Sequence, residues 1–491
     1  MKYGIWGIMA AAVLTAAGGL LSQAETAERT CRIHQHLTAR RDTGCSCGGL
    51  GLCTHLPLVI IDTRGQEIPG AITGNSDRFG QMVYTKAEDG ETTICADMAV
   101  IDNQNTNNHV SDKPQFTTDC RFRIRGNASR RFPKSSYAVT FVDGEGSSRN
   151  IPVMGMDAHH EWVLNGPILD KTLIRNYMWY NIAGELMDYA PNVRFCEVVL
   201  NGKYDGLYLM AESITAGKDG RLNLSANVKN AEITGYLLRH DRPTEEDLEI
   251  VRDIYTYPER VFQIAEDVAI RYPGKSKLTE EIARKVELDY SAFQKALFSY
   301  DYNSKEYGYE NWIDVDSFVD YYLINEFTGN LDAGSYSTYI YKEMGGKFKL
   351  CVWDFNNACD NYQEKAVEPE EFLMTEVSWY FMLFKDEDFV KQVQRRYREL
   401  RKTYLGQEYL MKYIDETIAF LGPAIRRNNE RWALELTEWD GLVPKERNVY
   451  SYQAAVEQLK GWLTRRGNWM DGSIHSLLKY AHPSRNRIYN H

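Results

Sequence analysis

After residue 24 the chain has no apolar run long enough to cross a bilayer, so its body is expected to be soluble. It lacks a Gly-x-Ser-x-Gly elbow, a His-Glu-x-x-His pair and any Cys tied by motif to a His, which weakens hydrolase readings. Basic residues are outnumbered, 57 Lys and Arg against 68 Asp and Glu, and the net charge is -11. That balance argues against a general nucleic-acid binder, which presents a basic surface. It leaves room for basic protein partners. There is no internal repeat and no low-complexity segment beyond the leader. What remains is ordinary globular material: 491 residues, 43% apolar, with 32 Tyr. That is enough for two or three domains, or for one large two-lobed catalytic unit.

Residues 1–24 read as a targeting segment. Lys2 gives a positive start, Ile5 to Leu21 is nearly all apolar, and Ser22-Gln23-Ala24 offers small residues for cleavage. The alternative is an uncleaved anchor, which would be the chain's one membrane attachment. Either way the protein is expected outside the cytoplasm, secreted or on the cell surface.

Residues 25–55 read as a flexible, Cys-rich leader. It holds four of the nine cysteines, Cys31, Cys45, Cys47 and Cys53, with His34, His36 and His55 nearby. The set has the look of a metal cluster, but Cys-Ser-Cys lacks the two-residue spacer usual in zinc sites. Disulfides are the expectation for an exported chain.

The folded body is expected over 56–480. Leu56 to Ile61, Gln81 to Tyr84, Ala96 to Ile101, Arg121 to Arg125 and Tyr137 to Phe141 have strand character. With the hairpin around Asn201-Gly202 they make a β-rich part over about 56–242. Asp170 is placed to cap a helix in which Leu173, Tyr177, Tyr180 and Gly184 form one apolar-leaning face. From about 243 to 480 the pattern is mixed and then mainly helical, ending in a helix at about Ala454 to Tyr480.

Within that second part lie two suggestive carboxylates. Asp332 follows a helical pattern. Asp354 ends an apolar strand, and a hairpin turning at Gly345-Gly346 returns the chain towards Asp332. Convergent carboxylates hold divalent cations and serve phosphate chemistry. Arg125, Lys134 and the backbone N–H groups of Gly126 and Asn127 are of the right type to meet phosphates. Glu212, at a strand end, is placed either to support Lys134 or the metal, or to be a surface carboxylate.

Several segments resemble the spore-coat protein H (CotH) kinase family. They are Arg125-Gly126-Asn127-Ala128-Ser129 with Pro133-Lys134-Ser135-Ser136-Tyr137, Trp162-Val163-Leu164 with Asp170 to Asn176, Asn201 to Glu212, and Ile324-Asn325-Glu326 through Asp332 to Trp353-Asp354-Phe355. The resemblance implies an α+β, atypical protein-kinase-like two-lobed fold, with a β-rich N-terminal lobe and a mainly helical C-terminal lobe. It also implies ATP and Mg2+ as cofactors and Ser or Thr hydroxyls of partner proteins, such as basic coat or envelope proteins, as acceptors. Asp332 then becomes the base or orienting group, Asp354 the main magnesium ligand and Lys134 the phosphate-contacting lysine. Two positions depart from the family pattern. Ser337 stands where many members have Asn, and Asn356 where many have Asp. Both still offer oxygen to a metal, with less negative charge. The rival reading is a weak or inactive kinase-like scaffold that binds a protein or an envelope polymer.

Overall fold

Seven strands close on themselves. The computed structural model describes residues 32–39, 45, 47, 51–76, 82–241, 268–361, 365–437 and 447–482. The segment expected to direct export, residues 1–24, lies outside these, as do Cys31 and residues 242–267. Residues His34–His491 form one unit, separate from Met1–Ile33.

The barrel strands are β1 (Leu58–Asp62), β2 (Ile94–Ile101), β3 (Phe116–Arg125), β4 (Ser136–Val142), β5 (Glu161–Asn165), β6 (Val193–Leu200) and β7 (Lys203–Glu212). Their order is β5-β7-β6-β1-β2-β3-β4, and β4 pairs back onto β5. Every pairing is antiparallel except β6 with β1. Closure leaves no open edge. Alternate residues of β2 (Ile94, Ala96, Met98, Val100) are buried, and the barrel interior also takes Phe122, Phe141, Leu164 and Val198. Strands β5, β6 and β7 are buried on their outer face as well, because Val163, Phe195, Leu207 and Leu209 belong to the larger core outside. Their near-continuous apolar runs follow from that double burial.

Helix α1 (Arg175–Leu186) lies in that larger core. The expected single apolar face is replaced by burial on all sides, Tyr177 through Ala183 being inaccessible or nearly so. A helix packed on all sides has no solvent face to make polar. The helix also starts later than expected. Asp170 does not cap it at Lys171. Instead its carboxylate accepts the N–H groups of Thr172 and Arg175 and the Arg175 guanidinium, at 3.0, 2.8 and 2.6 Å.

A second, four-stranded sheet follows: β8 (Tyr236–His240), β9 (Val268–Tyr272), β10 (Thr338–Lys342) and β11 (Phe348–Cys351), in the order β9-β8-β10-β11. The remainder is helical: α2 (Glu280–Leu297), α3 (Val315–Thr328), α4 (Glu387–Leu400), α5 (Gln407–Leu421), α6 (Pro423–Thr437) and α7 (Tyr452–Ser473). The expected terminal helix is broken at Ser473, where a 3-10 turn takes over. The fold is thus mixed α and β, with a β-rich region and helices in the C-terminal part.

Part of the expected flexible leader is pinned. His34 contacts Tyr413 and Glu185, Gln35 exchanges hydrogen bonds with the Phe195 backbone, and His36 bonds Tyr177. Partners 141 to 379 residues away in sequence explain why local composition misleads here. Cys31, one of the leader cysteines expected in a disulfide, lies outside the described residues, and among the described residues no cysteine is in one.

The helical part is held by a fully buried ion pair. Arg466 on α7 meets Glu326 on α3, and neither side chain is exposed. Glu326 also accepts the N–H groups of Leu373 and Met374. Removing one member strands the other's charge in the core. Glu326→Leu should therefore lower unfolding free energy by roughly 3–5 kcal/mol. Glu387→Ala, which breaks the exposed pair with Lys391, should leave stability essentially unchanged, because solvent screens that pair. Denaturant midpoints of the two variants check the contrast.

Candidate active site

Register builds the site. In the four-stranded sheet His240 lies opposite Thr338, and Tyr339 opposite Cys351. Strands β8 and β11 therefore end, and β10 begins, at the same edge. Asp241, Ser337 and the Val352–Asn356 segment all emerge there. The hairpin expected from Gly345-Gly346 is present, with strands within a few residues of those anticipated.

Asp332 is delivered by the end of α3. Asp314 caps the start of that helix by accepting the Ser317 N–H. Gly329 ends it in the left-handed region (φ 59°), returning N–H bonds to Asn325 and Glu326. A Cβ there would sit 3.0 Å from the Trp462 ring, so both backbone and packing select glycine. The chain then turns at Asn330, and the Asp332 carbonyl accepts the N–H groups of Ser335 and Tyr336.

The two carboxylates do converge. Asp354 feels Asp332 and, beyond it, Asp241 as repelling charges. Burial first, and the Asp332 charge second, raise its carboxyl to about 6, against the opposing pull of the Asn356 N–H and Arg125. Its backbone is left-handed (φ 57°), as is that of Ser337 (φ 49°). Such strain costs a non-glycine residue about 1 kcal/mol or more and is held only by surrounding bonds. Those bonds are visible. The Asp354 N–H donates to the Tyr180 hydroxyl at 3.0 Å, and its carbonyl accepts Asn330 Nδ2 at 3.2 Å. The Phe355 N–H donates to Asn176 Oδ1 at 2.8 Å. Asn357 Nδ2 donates to Asp332 Oδ2 at 3.1 Å, tying the two loops together.

Arg125 is the cation of the cluster. It ends β3, acts on Asp354, and its guanidinium sits 5.5 Å from the centre of the Trp353 ring. Gly126 follows with φ 109°, and a Cβ on it would collide with Ser129 Oγ at 2.0 Å. Asn127 opens the 3-10 turn Ala128–Arg131. Asn356 is half-buried, and its Oδ1 accepts Asn176 Nδ2 at 2.9 Å.

Lys134 is placed differently from the expectation. It leaves the barrel at the same end as Arg125, but its ammonium is buried and donates to the Leu207 carbonyl at 2.6 Å and to Asn428 Oδ1 at 2.8 Å. Burial lowers it to about 7, and Asp205, not Asp332 or Asp354, is the carboxylate that acts on it. Helix α6, which supplies Asn428, covers the lysine, and nothing in the local sequence announces that. Glu212 is at the other end of β7. It pairs with Arg221 at 3.2 Å and accepts the Asn192 N–H at 2.9 Å. Neither lysine support nor a surface position describes it.

Sequence reasoning gave no role at the candidate site to Asp241 or Asn176. Asp241 follows a strand, but only the β8–β10 register shows that its edge is that of Asp354. Asn176 bridges Asn165, Phe355 and Asn356. Its place on a buried helix is a long-range fact.

The raised carboxyl has a measurable consequence. An Asp near 3.9 when unfolded and about 6 when folded binds more protons in the native state between those values, so stability falls as pH rises through that window. By neutral pH the penalty amounts to about 3 kcal/mol. Asp354→Asn should therefore stabilise the metal-free protein near neutrality by about 1–3 kcal/mol, and by nothing near pH ~4. Denaturant unfolding in chelator across that range checks both the sign and the window.

No curated protein matches the chain. A family model described as CotH kinase protein matches residues 122–470, from β3 to α7, and so spans Arg125, Asp332 and Asp354. With most of its length covered by that match, the chain belongs to the CotH kinase protein family.

Proposed function

We propose that the chain is an exported phosphotransferase of two-lobed, kinase-like type, which uses ATP and Mg2+ and phosphorylates Ser or Thr of partner proteins. The observation that carries this reading is the Asp354 carboxyl, held half-buried against Asp332 and Asp241 with Arg125 beside it. Family membership supplies the kinase-like chemistry. Repelling carboxylates held by a scaffold are what a divalent cation would relieve.

The donor set suits magnesium. Asp354, Asp332 and Asp241 offer carboxylate oxygens, and Asn356 and Ser337 neutral ones, which fits a hard cation that takes oxygen ligands. When bound, such an ion neutralises charge on the transferring phosphoryl group. The protein's own residues do the rest. Arg125, stacked near Trp353, is positioned to meet phosphate oxygens. Asp332 orients the acceptor hydroxyl and takes its proton as the oxygen bonds to the terminal phosphorus and the ADP oxygen leaves. Asn176 and Asn357 fix the loops that carry these groups. The acidic surface suits basic acceptor proteins.

A second reading, the catalytically weak binding scaffold, has specific observations in its favour. Lys134 is sequestered by Leu207 and Asn428, and positions 337 and 356 are neutral. One experiment separates the two. The purified full chain is incubated with labelled ATP, magnesium and a Ser-rich basic protein, beside Asp332→Ala and Asp354→Ala. The enzyme reading expects transfer that falls by at least about 100-fold in each variant. Neither nucleotide binding nor transfer in the parent chain would support the scaffold.

A further inference from the structure

A second group of chemistry-bearing side chains converges away from the carboxylates. The ligand atoms of Cys45, Cys47, Cys53 and His109 all lie within 4.8 Å of one another. The thiols come from the leader and the imidazole from the connection between β2 and β3. A short antiparallel ladder brings them together, with Cys53 opposite His109 and Thr54 opposite Asn108. Asn108 Nδ2 fixes the crossing by donating to the Leu56 carbonyl at 2.8 Å.

We propose that Cys45, Cys47, Cys53 and His109 form a structural zinc site that clamps the leader to the barrel. Three sulfurs and one nitrogen complete a tetrahedron and leave no open position, the mark of a structural rather than a catalytic centre. The dimensions agree. Zinc bonds of about 2.3 Å to sulfur and about 2.0 Å to nitrogen imply a sulfur–nitrogen edge of roughly 3.5 Å in a tetrahedron. Cys45 Sγ lies 3.4 Å from His109 Nε2.

The surroundings are built for the same purpose. Asp112 Oδ2 accepts the His109 backbone N–H at 2.9 Å and lies 3.3 Å from Nδ1. A carboxylate holding the Nδ1 proton leaves the Nε2 lone pair facing the sulfurs, the usual support of a zinc-bound imidazole. Asn107 Nδ2 donates to Cys53 Sγ at 3.3 Å, a hydrogen bond that fixes the sulfur's position. A disulfide among three thiols would leave the third thiol and the imidazole unexplained. The histidines nearest in sequence take no part. His34 and His36 pack on Tyr413 and Tyr177, and His55 donates to the Phe420 carbonyl.

The test uses the full chain purified without reductant or chelator. Elemental analysis should find about one zinc per chain in the parent and in Cys95→Ser, and background levels in Cys53→Ser and His109→Gln. Cobalt exchanged into the parent should give the intense near-ultraviolet absorption of thiolate ligation. Asp112→Asn, with unchanged circular dichroism, should lose roughly 10- to 100-fold in zinc affinity by chelator competition. Should the cysteine variant not fold, the cobalt spectrum of the parent and the Asp112 variant decide. A parent chain that takes up neither metal, with Cys45, Cys47 or Cys53 found in a disulfide by mass mapping, overturns the proposal. So does equal metal loss in Cys95→Ser.

Discussion

Like charges held together are the constraint around which the rest of this structure is arranged. Asp354 and Asp332, with Asp241 beyond, would separate in a free chain. Here the register of β8, β10 and β11 ends three chain segments at one edge and gives the acids no route apart. The cost is visible twice, in the raised Asp354 carboxyl and in left-handed backbone at Asp354 and Ser337. Both are unfavourable in isolation. They persist because buried amides and a buried hydroxyl hold the loops.

Those holding groups come from elements far apart in the chain. Helix α1 supplies Asn176 and Tyr180, and its Trp179 and Tyr180 pack against Phe355. The same helix begins with Arg175, which is bound to Asp170 and to the Ala358 carbonyl just beyond the site. Its burial on every face is thus a consequence of its position. It joins the outer wall of the barrel to the strand end that carries Asp354. The Glu326–Arg466 pair does the corresponding work on the other side, fixing the end of α3 from which Asp332 follows. Neither pair contacts the carboxylates, yet each fixes the backbone from which one of them projects.

What was legible in the sequence follows from distance along the chain. The hairpin carrying Asp354 was legible because its turn and both strands are contiguous. The convergence of Asp332 on it was legible because the return of a hairpin is a local fact. Barrel closure was not, since it depends on the parallel pairing of Leu58–Ile61 with Glu197–Leu200. The burial of Lys134 was illegible for the same reason: Asn428, whose Oδ1 accepts a hydrogen bond from its ammonium, is 294 positions away. His109 was overlooked beside nearer histidines, because proximity in sequence was read as proximity in space. Asp241 follows β8, and only the pairing of β8 with β10 shows that it emerges at the same sheet edge as Asp354.

The neutral residues at positions 337 and 356 look like losses when set against the family pattern. Electrostatics gives them another sense. A carboxylate at 356 would add a further negative charge next to a group that already resists ionisation. The Asn356 backbone N–H, meanwhile, donates to Asp354 Oδ1 at 3.2 Å and favours its charged form. With Asp241 drawn into the cluster, the acidic charge near Asp354 is kept while position 356 stays neutral and accepts a hydrogen bond from Asn176. The count of acids near a cation is therefore better taken from the strand edge than from the motif. On the reading proposed above, a cation here would take its third carboxylate from the end of β8, two strands from β11, rather than from position 356.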